Sequence, residues 1–161
     1  MTARLSMRLN SKTTTQLVIF FDSDQVCTWK SYSVFSGATG FKNNPEETAN
    51  KGNGPIPKGR YYVVDRPTGG RQDWVRQKVH DWDGKLDWFA LFAIDGRIDD
   101  YTEVDGVRRG NFRMHPGTRS AGCVTFQQKS DFDEIRQILL GQTPKSVSKS
   151  GLLYYGILTV S

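Results

Sequence analysis

Residues 16–36 read QLVIFFDSDQVCTWKSYSVFS, and this stretch sets the fold class. Two runs, QLVIFF and VCTWKSYSVFS, are rich in β-branched and aromatic residues, with Asp22, Ser23 and Asp24 between them. Such side chains suit a pleated surface, and short polar residues favour turns. The stretch therefore reads as two strands joined by a turn. Cys27 lies in the second run, where a lone cysteine is expected to serve as a small core hydrophobe.

The same texture continues on the C-terminal side. YYVVD, WFALFAI, NFRMH and LLYYGILTV read as further strands, separated by glycine, proline and polar residues. One segment has a different period. In KSDFDEIRQILLGQTP, Phe132, Ile135, Ile138 and Leu139 recur at helical spacing. Ser130 is the expected cap, Asp131, Asp133 and Glu134 suit the positive end of the helix dipole, and Gly141 and Pro144 stop the helix. Many strands with one amphipathic helix predict a mainly β domain. Residues 37–54 form a polar stretch of about 18 residues, longer than an ordinary connection and so expected to be functional or mobile. Residues 1–15 are expected to be a flexible lead-in.

The chain of 161 residues has the size of one domain, and we take 1–161 as a single unit. Hydrophobic residues make up 37%, enough for a sizeable core and against wholesale disorder. The net charge of +5 favours anionic partners, including acidic cell-wall polymer. The lysines and arginines are scattered, so nucleic-acid binding is not expected, and most of the four tryptophans read as core. Two cysteines, Cys27 and Cys123, are too few for a disulfide framework or a structural zinc site. The acids Asp81, Asp83, Asp95, Asp99, Asp100, Glu103 and Asp105 do not match a calcium loop and read mostly as solvated, as does His80. No metal or cofactor is expected. LVIFF is too short for a signal-peptide core or a membrane span. The expectation is cytoplasmic synthesis without a signal peptide and without membrane insertion.

The chemistry concentrates in residues 115–123, HPGTRSAGC. A thiol nucleophile needs a base, and imidazole is the usual one. Cys123 follows His115 by eight positions along the chain, and Pro116 and Gly117 allow a tight turn. Ser120, Ala121 and Gly122 are small enough for a substrate to approach the backbone. Their position leaves the N–H groups of Gly122 and Cys123 to hold an oxyanion. The string reads as a cysteine acyl-transfer site. Another Cys–His cell-wall endopeptidase or amidase is an alternative, although papain-like enzymes usually place the cysteine first. A non-catalytic binder of anionic polymer is a second.

SAGC resembles the Ser-x-Gly-Cys signature of the YkuD-like L,D-transpeptidases, whose catalytic histidine also precedes the cysteine. The resemblance is closer to the type VI secretion L,D-transpeptidase effectors. SGATGFKNNP, GPIPKGRYYV, FRMHPG and SAGCV occur in the order that branch shows, across roughly residues 16–161. The resemblance implies a β-sandwich catalytic domain acting on peptidoglycan, with Cys123 as nucleophile, His115 as base and Ser120 as a supporting polar residue. It implies removal of the terminal D-alanine from tetrapeptide stems, or its exchange for a free D-amino acid. It also implies secretion into a target periplasm, a secretion-machine component and a cognate immunity protein. Two positions depart from the pattern. Ala121 stands where many relatives carry His or Asn, and VTFQQ follows the cysteine where many carry an arginine. Arg119 or Arg113 is the expected stand-in for that arginine, and Lys58 is a further candidate to face substrate.

Overall fold

The computed structural model describes residues 2–65, 88–147 and 149–161. His80, Asp81, Asp83, Trp74 and Trp82 lie outside the described residues. The strands are β1 (Ala3–Met7), β2 (Thr15–Ser23), β3 (Val26–Phe35), β4 (Gly59–Val64), β5 (Phe89–Ala93), β6 (Tyr101–Val104), β7 (Val107–Gly110), β8 (Arg113–Pro116), β9 (Val124–Phe126), β10 (Lys145–Ser146), β11 (Leu153–Tyr154) and β12 (Gly156–Val160). Helix α1 spans Lys129–Leu140, after Cys123 as expected. The protein is mainly β.

Eight strands form one mixed sheet that closes into a barrel in the order β1-β12-β4-β5-β8-β9-β3-β2. The expected sandwich is thus continuous around its rim. β1 pairs with β12 and β8 with β9 in parallel; the other neighbours are antiparallel. Alternation aims every second side chain inward. Ala3, Leu5 and Met7 of β1 meet Leu17 and Ile19 of β2, Tyr61 and Val63 of β4, Met114 of β8, Val124 and Phe126 of β9 and Leu158 of β12 in one buried cluster. Residues 1–15, expected as a flexible lead-in, therefore contain a strand of the barrel. The pattern of Ala3, Leu5 and Met7 is a short strand signal that the flanking basic residues obscured.

Helix α1 packs its stripe onto this cluster. Phe132, Ile135 and Leu139 are buried, and Phe132 meets Phe126 and Phe89 edge-on with ring centres 5.6 and 6.5 Å apart. The position before the helix is Gln128, whose side chain makes no cap bond, so Ser130 lies inside the first turn rather than capping it. The outer face is tied down instead. Tyr32 Oη donates to Glu134 at 3.1 Å, Lys30 also bonds Glu134, and Arg136 meets Asp65 at 3.0 Å. The Lys30 hydrogen bond holds the Glu134 carboxyl below its usual range.

The β2–β3 hairpin turns at Asp24 and Gln25, both at positive φ (50° and 65°), which matches a two-residue type I′ loop. β3 pairs with β9 only at Val34 and Phe35, so the outer part of the hairpin has sheet neighbours on one side only. This corrects one expectation: Cys27 is exposed rather than core, and Trp29, two residues on, is 61% exposed as well.

Candidate active site

Sheet register assembles the site. β8 and β9 run in parallel with His115 opposite Thr125 and Met114 opposite Val124. Met114 and Val124 point into the barrel core and are fully buried. His115 and Thr125 therefore face outward. Cys123 directly precedes β9, two residues before Thr125, so period-two alternation carries it to the face of His115. The short link between them works because the parallel pairing folds it into a crossover with both ends on one face.

His115 is buried, and its Nδ1 lies 2.8 Å from the Pro116 carbonyl oxygen. A carbonyl only accepts, so Nδ1 carries the hydrogen in this contact and Nε2 carries the lone pair. That is the tautomer a base acting through Nε2 requires. Trp88 stacks on the imidazole with ring centres 4.0 Å apart and planes 16° from parallel. The Cys123 thiol is half-buried and donates to the Asn111 carbonyl at 3.7 Å.

The loop that carries the cysteine is held by side chain–backbone bonds. Ser120 is buried; its hydroxyl donates to the Cys123 carbonyl at 2.7 Å and accepts from the N–H groups of Gly37 at 3.0 Å and Gly122 at 3.3 Å. Ser120 thus shapes the cysteine turn. The Gly122 N–H, expected at an oxyanion, is engaged by the Ser120 hydroxyl. Ser36 donates to the Gly122 carbonyl at 3.1 Å and accepts from Ile56 N–H at 2.8 Å. Gly122 has φ +123°, and a Cβ there would stand 2.7 Å from Arg109 Nη2. Glycine is required on both counts.

Arg109 is a residue that sequence reading missed. Its buried guanidinium bonds the carbonyls of Thr48, Gly54 (3.0 Å), Pro55 (3.3 Å) and Ala121 (3.4 Å). Burial holds it below its usual pKa range. It clamps the end of the 37–54 stretch against the cysteine loop. Asn43 pins the same stretch from inside, accepting from Ser36 N–H at 2.9 Å and donating to the Lys12 carbonyl at 2.8 Å. In the sequence Arg109 is one of two adjacent arginines, and nothing local distinguishes it from exposed Arg108.

A cleft of about 490 Å³ opens beside His115, lined by Phe35, residues 37–39, Lys42 and residues 118–121. Arg119 lines it. Lys42, not foreseen, lines it too, with Nζ 4.2 Å from the centre of the Phe35 ring. No carboxylate lines it among the described residues. Two other candidates are displaced. Arg113 makes a two-bond pair with buried Asp100, at 2.8 and 2.6 Å, and is itself buried, so it is occupied in the fold and not presented to substrate. The same pair corrects the reading of Asp100 as a solvated acid. Lys58 is exposed at the entry to β4 and is not among the described residues lining the cleft.

Among the described residues, no helix is long and apolar enough to cross a membrane. A family model described as the Tlde1 domain matches residues 30–150, well over half the chain and inclusive of both His115 and Cys123. No curated protein and no solved structure matches the chain.

Proposed function

Since this chain belongs to the Tlde1 domain family, the type VI L,D-transpeptidase effectors that act on peptidoglycan, we propose that it is an antibacterial acyl-transferase with Cys123 as nucleophile and His115 as base. The observation that carries this reading is the shared outward face of His115 and Cys123, with Nδ1 bonded to the Pro116 carbonyl. Cys123 gives its proton to Nε2 and turns from the Asn111 carbonyl, an acceptor that suits a thiol but not a thiolate. Sγ then attacks the carbonyl carbon of the L-centre of the third stem residue. The oxyanion takes a hydrogen bond from the Cys123 N–H; such a donor contributes about 2.7–4 kcal/mol to the barrier. His115 returns the proton to the leaving amine, the C–N bond breaks, and D-alanine departs from a thioester.

The second nucleophile decides the product. Water attacks the thioester to give a tripeptide stem, the L,D-carboxypeptidase outcome. The amine of a free D-amino acid gives exchange. Lys42 and Arg119 give the cleft the sign of charge that an acidic stem peptide needs. Delivery by a contractile secretion machine, action in the target periplasm and neutralisation by an immunity protein follow from the same reading.

The test is mass spectrometry of muropeptides after incubation with tetrapeptide-rich peptidoglycan, with and without a free D-amino acid. Tripeptides or exchanged stems are expected, and both should vanish in Cys123→Ala. Cleavage at any other bond would assign a different cysteine hydrolase. Unaltered muropeptides, with binding that fades as salt rises and survives the loss of Cys123, would favour the polymer binder.

A further inference from the structure

Trp88 was expected to be one more core aromatic. The sheet gives it a different place. β5 and β8 pair with Phe89 opposite Met114 and Ala90 opposite Arg113. One further step of this antiparallel register sets Trp88 opposite His115, and the two rings stack 4.0 Å apart. His115 is therefore flanked by Trp88 on one side and by the strand that follows Cys123 on the other.

We propose that Trp88 is a positioning residue for this site: its indole fixes the plane of the His115 ring and favours the protonated imidazole, and so increases the share of molecules that carry the Cys123 thiolate. The inference rests on the base–nucleophile reading of His115 and Cys123. Proton transfer from Sγ to Nε2 leaves the proton count unchanged and creates an imidazolium. The face of an indole attracts such a cation, more strongly where water is excluded. The charged groups around His115 among the described residues need the same accounting. On β8, Arg113 lies two residues away and is paired with Asp100. From the loops, Lys42 and Arg119 line the same cleft. From the β9 side comes Cys123 itself. Lys42 and Arg119 favour the thiolate but oppose a second positive charge on the imidazole. The stacked indole acts in the opposite sense on that ring.

The experiment is alkylation of the full-length protein with iodoacetamide from about pH 5 to about pH 10, spanning the ordinary ranges of imidazole and thiol. Peptide mass spectrometry reads Cys123 and Cys27 separately. Exposed Cys27, on the hairpin, serves as the reference thiol within the same molecule. In the parent protein Cys123 should outpace Cys27 near neutrality and reach a plateau. Trp88→Leu should lower that plateau by about three- to thirtyfold, the range of a cation–π contact from exposed to desolvated. It should converge with the parent at the alkaline end, where every thiol is ionised. Trp88→Phe should fall between them, and it keeps the question answerable if leucine loosens the strand. An unchanged profile, or a loss equal at every pH, would overturn the proposal, since the second is what simple loss of packing gives. If His115→Asn also leaves the parent profile intact, the dyad itself is wrong and the proposed function falls with it.

Discussion

The two halves of the site are held in different ways. His115 sits within a strand, and its neighbours on both sides follow from sheet register: Trp88 across β5 and Thr125 across β9. Cys123 sits at the end of a turn, held by hydroxyls and a guanidinium bonded to backbone: Ser120, Ser36 and Arg109. His115 is placed by a ladder that the whole barrel supports. Cys123 is placed by a polar latch that also captures the 37–54 stretch. A change on the strand side should therefore reduce global stability, and a change on the latch side should reduce activity before it unfolds the protein.

The largest effect should come from the strand side. Arg113→Gln removes the guanidinium that pairs with buried Asp100, a type of change that costs about 3–5 kcal/mol. Denaturant unfolding should show the loss, while KM of the remaining folded enzyme stays put. A raised KM with unchanged stability would return Arg113 to the substrate. Arg109→Met should cost less, about 2–3 kcal/mol, because charge-assisted bonds to carbonyls are lost where water can partly replace them. Limited proteolysis should then cut within 37–54 before the barrel unfolds; cutting that begins elsewhere would break the comparison. Gly122→Ala forces a Cβ against Arg109 at a positive φ, at about 1–3 kcal/mol. Its kcat/KM should fall more than its stability does. Cys27→Ser, on the projecting hairpin, should stay within about 0.5 kcal/mol and keep full turnover. A large loss of turnover there would give the hairpin a role that its exposure does not suggest.

Several features were legible because their cause is local. The strands around residues 16–36 and the amphipathic helix follow from side-chain periodicity, which needs no partner to be read. His115 and Cys123 could be singled out because few residue types do acyl transfer and both lie within nine positions. The β6–β7 hairpin has a local cause too: Asp105 and Gly106, both at positive φ, are an Asp-Gly turn between short apolar and charged runs.

Other features had no local cause. Arg113 and Arg119 are equally polar residues near the histidine, but the pair with Asp100 holds one buried while the loop exposes the other. Cys27 and Val34 lie in one strand, yet the first is exposed and the second buried, because they point to opposite faces and β9 pairs with only the end of β3.

By itself, then, the sequence determined the β-rich class and the helix and singled out His115 and Cys123 as the candidate pair, since these depend on periodicity and on intrinsic chemistry. Tertiary structure alone decided that Trp88 faces His115, that Arg109 joins two loops, and which arginine meets the cleft. Each of those depends on pairing between segments distant along the chain, and register is a property of two strands together.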